Sequence, residues 1–273
     1  MSVLSSAYNG RIAVGEGDMD YVSFGTGPRI LVMLPGLGDG LRTVRGMAVP
    51  LAGAYRIFAK QFRVYVFSRR NGLPPGASTR DMAADLRLAM DGLGLDRACV
   101  LGVSQGGMIA QFLAIDAPER VERLALAVTL ARGNPTVERT VRRWMELAER
   151  GDYKTLVADT AEKTYSAAYI RKHHLRLLYP LLGRIGRPAS FERFLVQANA
   201  CLTHDAWEEL GSVACPALVI GGGADQIAGG SAAAELAGRI PNSRLLVYQE
   251  LGHGAYEESK DFNRTVLDFF TQT

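Results

Sequence analysis

A serine framed by glycines is the feature of this sequence that points most directly to chemistry. The stretch Gly102-Val103-Ser104-Gln105-Gly106-Gly107 follows an apolar run at 98–103 and precedes a helix-like run from Met108 to Ala117. A turn of small residues between a strand and a helix strains its central residue and exposes that side chain above the helix N-terminus. The pattern predicts Ser104 as a nucleophile. The alternative is a tight turn in which Ser104 only caps the helix.

A serine nucleophile needs a base, and the sequence contains four histidines. His253 lies in Leu251-Gly252-His253-Gly254, directly after a strand-like run at 244–248, and is the predicted base. The adjacent pair at 173–174 lies in a helical stretch and is expected to be solvated. His204 is expected to hydrogen-bond locally, although an approach to the site stays open.

The base in turn needs an acid that orients it. Gly221-Gly222-Gly223-Ala224-Asp225 ends a strand-like run from Ala217 to Ile220, which places Asp225 at the same sheet edge as Ser104 and His253. The alternative role for Asp225 is to cap a helix over 231–240. The competing position, after the run that ends near 128, has no acidic residue at 129–132.

Acyl transfer also requires donors for the developing oxyanion. The predicted donors are the backbone N–H of Gln105 and that of Leu37, which lies in Pro35-Gly36-Leu37-Gly38 after an apolar run at 30–34. The simpler interpretation of this loop is a glycine-rich turn. A phosphate-binding loop is disfavoured, because neither G-x-G-x-x-G nor a G-K-[ST] ending is present.

The elements that must position these residues alternate between short apolar runs and helical patterns. Apolar runs are predicted strands when they are short and bounded by turn residues; they lie at 30–34, 63–67, 98–103, 124–128, 217–220 and 244–248. A helix is predicted over Thr79 to Leu93. In the first thirty residues, Val22-Ser23-Phe24 and the turn at Gly25 and Gly27 predict an antiparallel edge hairpin. Strands that are apolar on both faces and alternate with helices indicate a mostly parallel sheet covered on both sides. The predicted fold class is therefore α/β.

The segment 132–205 interrupts this alternation and is the predicted helical cap, with residues 1–131 and 206–273 forming the core. Its predicted helices run from Val137 to Arg150, Tyr153 to Tyr169 and Phe191 to Cys201. Aromatic and apolar side chains in it are candidates for pocket walls, the alternative being helix packing: Trp144, Met145, Tyr165, Tyr169, Phe191 and Phe194. The segment carries 13 basic and 8 acidic residues, hence +5. That charge either favours an anionic substrate or belongs to a solvated helix face.

Composition narrows the class of protein. The 273 residues carry a net charge of +3, too small a bias to indicate nucleic-acid binding. Three cysteines cannot all pair, so a reducing compartment is expected. Neither a signal peptide nor a membrane-spanning run is visible, and no metal-ligand spacing is present. We therefore expect a soluble cytoplasmic protein without cofactor or metal.

The order Ser104, Asp225, His253, together with the Gly-Val-Ser-Gln-Gly-Gly turn and the Pro-Gly-Leu-Gly loop, resembles the α/β-hydrolase superfamily over nearly the whole chain. The resemblance implies an eight-stranded, mostly parallel sheet with an inserted helical cap, and is strongest to small carboxylesterases and 3-oxoadipate enol-lactonase-like enzymes. It also implies the roles of nucleophile, acid and base for these three residues. Pro35 departs from the family pattern, which has a histidine there, as does the absence of a proline shortly after Asp225.

These observations predict a serine hydrolase for a small ester or lactone. An acyltransferase or a C–C bond hydrolase would use the same three residues. A ligand-binding receptor that retains the pocket is the alternative from a different class. The expected partner is a small molecule, with neither nucleic acid nor membrane; the oligomeric state is left open.

Overall fold

An eight-stranded sheet forms the centre of the computed structural model, which describes residues 3–183 and 186–272. The strands are Tyr8–Val14 (β1), Gly17–Phe24 (β2), Arg29–Leu34 (β3), Phe62–Arg70 (β4), Ala98–Val103 (β5), Val121–Ala127 (β6), Ala217–Gly222 (β7) and Ser243–Tyr248 (β8). Their spatial order is β1-β2-β4-β3-β5-β6-β7-β8. β1 pairs antiparallel with β2 and forms the edge hairpin, but its turn lies at 15–16 and not at the predicted Gly25 and Gly27. β2 also pairs antiparallel with β4, which separates it from β3, and the other pairs are parallel.

Helices cover both faces of the sheet. Outside the segment 132–205 they are Ala48–Ala54 (α1), Thr79–Gly92 (α2), Gln105–Asp116 (α3), Ala232–Ala237 (α9), Ala255–Glu258 (α10) and Phe262–Thr271 (α11). Val32 and Leu34 pack into the apolar core beneath α2, α3 and α9. Leu31 and Met33 pack into the opposite core, beneath α1 and α11. Successive strand residues point to opposite faces, so continuously apolar strands supply both cores.

The described part of the segment between β6 and β7 contains α-helices joined by turns and loops, and no named strand. Its helices are Pro135–Glu149 (α4), Tyr153–Thr164 (α5), Ala167–Lys172 (α6), Leu175–Leu182 (α7) and Glu192–Leu202 (α8). The two ends of the segment meet, because Arg132 and Asp205 form an isolated antiparallel bridge. None of the described helices is long and apolar enough to cross a membrane.

The continuous helix predicted over Tyr153 to Tyr169 is wrong. Tyr165 adopts an extended backbone that ends α5. The next residue, Ser166, is the N-cap of α6 and its side chain accepts a hydrogen bond from the Tyr169 N–H. A serine competes for backbone hydrogen bonds and so favours a helix start over a helix interior.

The loops that carry the predicted site residues all leave the carboxyl edge of the parallel strands. Leu37 follows β3 in a short 3-10 helix, Leu37–Gly40, and Ser104 follows β5. Asp225 follows β7, and His253 follows β8. Because parallel strands present the same edge at their carboxyl ends, residues far apart in sequence converge there.

Candidate active site

Ser104 lies in a strained turn between β5 and α3. Its backbone has φ 53° and ψ −120°, a conformation that side-chain-bearing residues rarely adopt. Two glycines allow the turn to pack closely: a Cβ at Gly106 would lie 2.1 Å from the Leu34 carbonyl oxygen, and one at Gly102 would lie 2.5 Å from that of Gly106. The Ser104 side chain makes no capping hydrogen bond to α3. The hydroxyl is therefore available for other chemistry.

Ser104, His253 and Asp225 form a hydrogen-bonded chain. The distance from His253 Nε2 to Ser104 Oγ is 2.9 Å, and that from His253 Nδ1 to Asp225 Oδ2 is 2.8 Å. His253 and Asp225 are both buried, with 6% and 7% of their surface exposed. An ionised carboxylate can only accept hydrogen bonds, so Nδ1–H donates to Asp225 and leaves Nε2 to accept the serine proton. This arrangement can remove the proton from Ser104 as its oxygen attacks.

Asp225 is held by its own loop. Its Oδ1 atom accepts hydrogen bonds from the N–H groups of Ile227 and Ala228, at 2.7 and 2.8 Å. The alternative of a helix cap is wrong, because the N-cap of α9 is Ser231. No proline follows shortly after Asp225, and the turn is closed by the carboxylate itself, so one oxygen fixes the loop and the other faces His253.

The two predicted oxyanion donors each begin a helix. Gln105 is the first residue of α3, and Leu37 is the first residue of the 3-10 helix. The first N–H groups of a helix have no acceptor within it and can bind an anion. The loop of Leu37 packs directly on the serine, since a Cβ at Gly36 would lie 3.2 Å from Ser104 Cβ. The two candidate N–H groups therefore belong to segments that meet at Ser104.

Arg69, a residue that the sequence reasoning did not single out, supports this loop. Its Nη2 atom donates hydrogen bonds to the carbonyl oxygen of Pro35 and to Gln105 Oε1. The side chain is buried at the end of β4, with 2% of the residue exposed. Burial lowers the pKa of its guanidinium, and the nearby Asp39 carboxylate raises it. In the sequence, Arg69 stands beside Arg70 and resembles a solvated pair, so no local signal marks it.

A cavity of about 480 Å³ opens in front of Ser104 and His253. Its wall is mainly apolar and comes from both the core and the segment 132–205; six of its members are Leu37, Met108, Val137, Val141, Trp144 and Ile227. Trp144 and Tyr165 line it, as predicted. Burying apolar substrate surface against such a wall is favourable.

Four other candidates for pocket walls do not line this cavity: Met145, Tyr169, Phe191 and Phe194. The Tyr169 ring instead stacks on Tyr165 with centroids 4.8 Å apart. Phe194 packs from α8 against Gly40, where a Cβ would lie 2.8 Å from Phe194 Cα. Helical spacing alone does not say which of several apolar neighbours a ring contacts, so the prediction for these residues is wrong.

None of the described basic residues of the segment 132–205 lines this cavity. Among the described residues that line it, Arg42 is the basic one, and it follows β3 in the core. The lining Asp39 carboxylate is paired with Arg193, at 2.6 Å. The structure thus favours the solvated-face interpretation of the +5 charge. In residues 3–183 and 186–272, no group of three or more His, Cys, Asp or Glu side chains is arranged to hold a metal.

His204 contacts Thr79 and Phe112 and forms no hydrogen bond with Ser104 in the described structure. Its Nδ1 atom is 2.9 Å from Thr79 Oγ1, and its ring meets Phe112 edge-on at 5.3 Å between centroids. Burial lowers its pKa to about 4. His173 and His174 are exposed, as expected, and the ring of His173 packs against Tyr169 with centroids 4.2 Å apart.

His204 should make the protein less stable in acid. Its folded-state pKa of about 4 lies below the unfolded reference of 6.5, so the unfolded chain binds the proton first. The stabilisation is present above pH 6.5 and is lost as pH falls toward 4, up to about 3 kcal/mol. Denaturant unfolding of wild type and His204→Gln from pH 7 to 4 measures it. The variant should lack this part of the pH dependence; the same dependence in both proteins would contradict the assignment.

A family model, related sequences and a solved structure all indicate the same family for this chain. A family model described as alpha/beta hydrolase fold matches residues 29–260. The chain is 27% identical to "Putative carbamate hydrolase RutD" of Caulobacter segnis, covering 89% of this chain and 91% of that protein. It is 29% identical to 2-hydroxy-6-oxononadienedioate/2-hydroxy-6-oxononatrienedioate hydrolase 2 of Pseudomonas putida, covering 98% of both chains. The structure of the enol-lactonase from Burkholderia xenovorans LB400 superposes with a TM-score of 0.81 and 25% identity, covering 96% of this chain and all of that one.

Proposed function

Because this chain belongs to the alpha/beta hydrolase fold family and is a hydrolase, we propose that it cleaves a small carboxylic ester or lactone through an acyl-enzyme on Ser104. The observation that carries the proposal is the continuous hydrogen-bonded chain from Ser104 Oγ through His253 to Asp225, with distances of 2.9 and 2.8 Å. A serine hydroxyl becomes an effective nucleophile when a positioned base accepts its proton.

The reaction follows from the positions of these atoms. Ser104 Oγ attacks the substrate carbonyl carbon while His253 Nε2 takes its proton, and the carbonyl oxygen becomes an oxyanion that the N–H groups of Leu37 and Gln105 stabilise. His253 then returns the proton to the departing alkoxide oxygen as the C–O bond breaks. In a lactone that oxygen remains attached to the acyl chain as a hydroxyl. Water, deprotonated by His253, attacks the acyl-enzyme and releases the acid and Ser104.

The segment 132–205 acts in this proposal as a cap that shapes the acyl pocket. Val137, Val141 and Trp144 of α4 line the cavity opposite the core residues Leu37 and Met108. Such a wall favours an uncharged, apolar acyl group over a carboxylated one. We place the reaction in the cytoplasm, where free thiols such as those of the three cysteines stay reduced.

Ester hydrolysis should become faster as the acyl chain lengthens from acetate to butyrate. Each buried methylene contributes about 0.8 kcal/mol, so kcat/KM should rise about fourfold per methylene. The measurement is initial-rate hydrolysis of p-nitrophenyl acetate, propionate and butyrate, with a carboxylated ester of the same size as the butyrate for comparison. A flat series, or a faster carboxylated ester, would contradict the apolar acyl pocket; an absence of turnover of every ester and lactone would contradict the function.

Hydrolysis of a C–C bond is the second candidate. It is favoured by the match to the Pseudomonas putida protein named as a 2-hydroxy-6-oxononadienedioate/2-hydroxy-6-oxononatrienedioate hydrolase, over 98% of both chains. The same three residues could serve that reaction, because one fold supports several chemistries. Product analysis separates the candidates: ester hydrolysis releases an acid and an alcohol, whereas hydrolysis of an acyl C–C bond releases an acid and a fragment whose departing carbon has gained a proton. Adding a competing alcohol distinguishes hydrolysis from acyl transfer.

A further inference from the structure

We propose that Arg69 is a positioning residue for the oxyanion hole, holding both of its segments with one buried guanidinium group. The inference rests on the proposed function, since it assumes that an oxyanion forms at Ser104. The observation behind it is a shared donor. Arg69 Nη2 donates a hydrogen bond to the carbonyl oxygen of Pro35, which lies two residues before Leu37. It also donates a hydrogen bond to Gln105 Oε1, at 3.1 Å. Leu37 and Gln105 carry the two N–H groups assigned to the oxyanion.

The hydrogen bond from Arg69 to the Pro35 carbonyl fixes a loop that the Pro35 side chain and backbone nitrogen cannot fix. Pro35 has no side-chain donor and no N–H with which to fix the loop after β3. Its carbonyl oxygen is instead fixed by a donor from β4, the strand that pairs in parallel with β3. The same loop contacts the nucleophile turn at Gly106, where a Cβ would lie 2.7 Å from the Pro35 oxygen. Movement of Pro35 would therefore change the relative positions of the two turns.

Arg69 is a buried cation whose nearest carboxylate is paired with another residue. In the described part of the chain, Arg69 forms no ion pair with a carboxylate within 4.0 Å. The nearby Asp39 carboxylate is bound by Arg193 Nη2 at 2.6 Å and by Gln197 Nε2 at 3.2 Å, both from α8. Burying an unpaired charge is unfavourable for folding. A stability role explains such a residue poorly, whereas a positive group behind a developing oxyanion favours the transition state.

The helix α8 closes the same network from the side of the cap. Gln105 Nε2 donates to the Gln197 carbonyl oxygen at 2.7 Å and contacts Cys201 Sγ at 3.2 Å. The Gln105 side chain is thus held at its oxygen by Arg69 and at its nitrogen by α8. Because both ends of this side chain are fixed, its backbone N–H has little freedom to turn away from the cavity.

Arg69→Met tests the assignment, because methionine fills the buried space without charge or donors. Loss of one oxyanion donor lowers kcat by about 10²–10³-fold in a studied protease, and we expect a fall of about 10²-fold here, with KM within about threefold of wild type. The inhibition constant of a trifluoromethyl ketone, whose adduct with Ser104 carries an oxyanion, should weaken by a similar factor. A merely structural role would not link these two changes.

Arg70→Met is the matched control. Arg70 is the neighbouring residue of β4, but its side chain pairs with Asp85 at 2.9 Å and does not contact the two oxyanion segments. Its kcat and ketone inhibition should stay close to wild type. Arg69→Lys keeps the charge but reaches one acceptor, so its kcat should fall about tenfold. This variant tests the proposal if Arg69→Met does not fold.

The outcomes separate the two proposals. If the wild type hydrolyses the ester and folded Arg69→Met or Arg69→Lys has the same kcat, the role of Arg69 is overturned and the proposed function is not. A fall in ester turnover without weaker ketone inhibition would also overturn it, because the oxyanion would then be bound as before. A wild type that neither hydrolyses the ester nor binds the ketone would overturn the proposed function, and this assignment with it.

Discussion

Replacing Ser104 by alanine is expected to lower kcat for ester hydrolysis by about 10⁶-fold, the loss measured when the nucleophile of a comparable triad is removed. Alanine retains the β-carbon and leaves the pocket intact, so KM for any residual reaction should change little. The physical reason is that His253 Nε2, 2.9 Å from Ser104 Oγ, has no other protein nucleophile to activate in the described structure. The measurement is steady-state hydrolysis of p-nitrophenyl butyrate by the purified variant.

Ser23→Ala is the control for this change. Ser23 is a buried serine of β2, in the antiparallel part of the sheet and away from the carboxyl edge that carries the site. It should retain wild-type kcat, which shows that removing a buried hydroxyl is not by itself damaging. Hydrolysis by Ser104→Ala within tenfold of wild type would contradict the assigned nucleophile.

Asp225→Asn is expected to lower kcat by about 10⁴-fold, as the same change does in a well-studied triad. An asparagine can keep its Oδ1 atom as the acceptor for Ile227 and Ala228, so the loop should persist. Its NH₂ group would then face His253 Nδ1 as a donor, which forces the histidine proton onto Nε2. In that tautomer the histidine cannot accept the proton of Ser104.

The matched control is Asp205→Asn. Asp205 Oδ1 accepts a hydrogen bond from the Trp207 N–H, two residues later, in a turn like that of Asp225, but it does not contact His253. Activity should therefore stay at the wild-type level in this variant. Full activity of Asp225→Asn, measured in the same ester assay, would show that Asp225 does not orient the base.

Sequence reasoning could place the candidate site residues at one sheet edge because each follows a short apolar strand. Ser104, Asp225 and His253 come after β5, β7 and β8, and parallel strands bring their carboxyl ends to one edge. The glycines around Ser104 indicate a tightly packed turn. At residue 106, for example, close contact with Leu34 excludes a side chain. Local pattern and sheet geometry together predicted the arrangement that the structure contains.

Long-range contacts account for what the sequence could not predict. The burial of Arg69 depends on acceptors at residues 35 and 105, and nothing in its own neighbours indicates them. Tyr169 and Phe194 have the apolar character of pocket residues, but their directions are set by Tyr165 and Gly40. The break between α5 and α6 depends on Ser166, whose Oγ also donates to Glu258, far along the chain.

Covalent labelling with a fluorophosphonate tests the central claim most directly, because the probe reacts with a serine that a neighbouring base has activated. Intact-mass and peptide analysis should find a single phosphonyl group on wild type, on the peptide that contains Ser104. Ser104→Ala should remain unmodified under the same conditions, and Ser23→Ala should label like wild type. Equal labelling of Ser104→Ala, or an adduct on a different peptide of the wild type, would contradict the proposal that Ser104 is the nucleophile of this hydrolase.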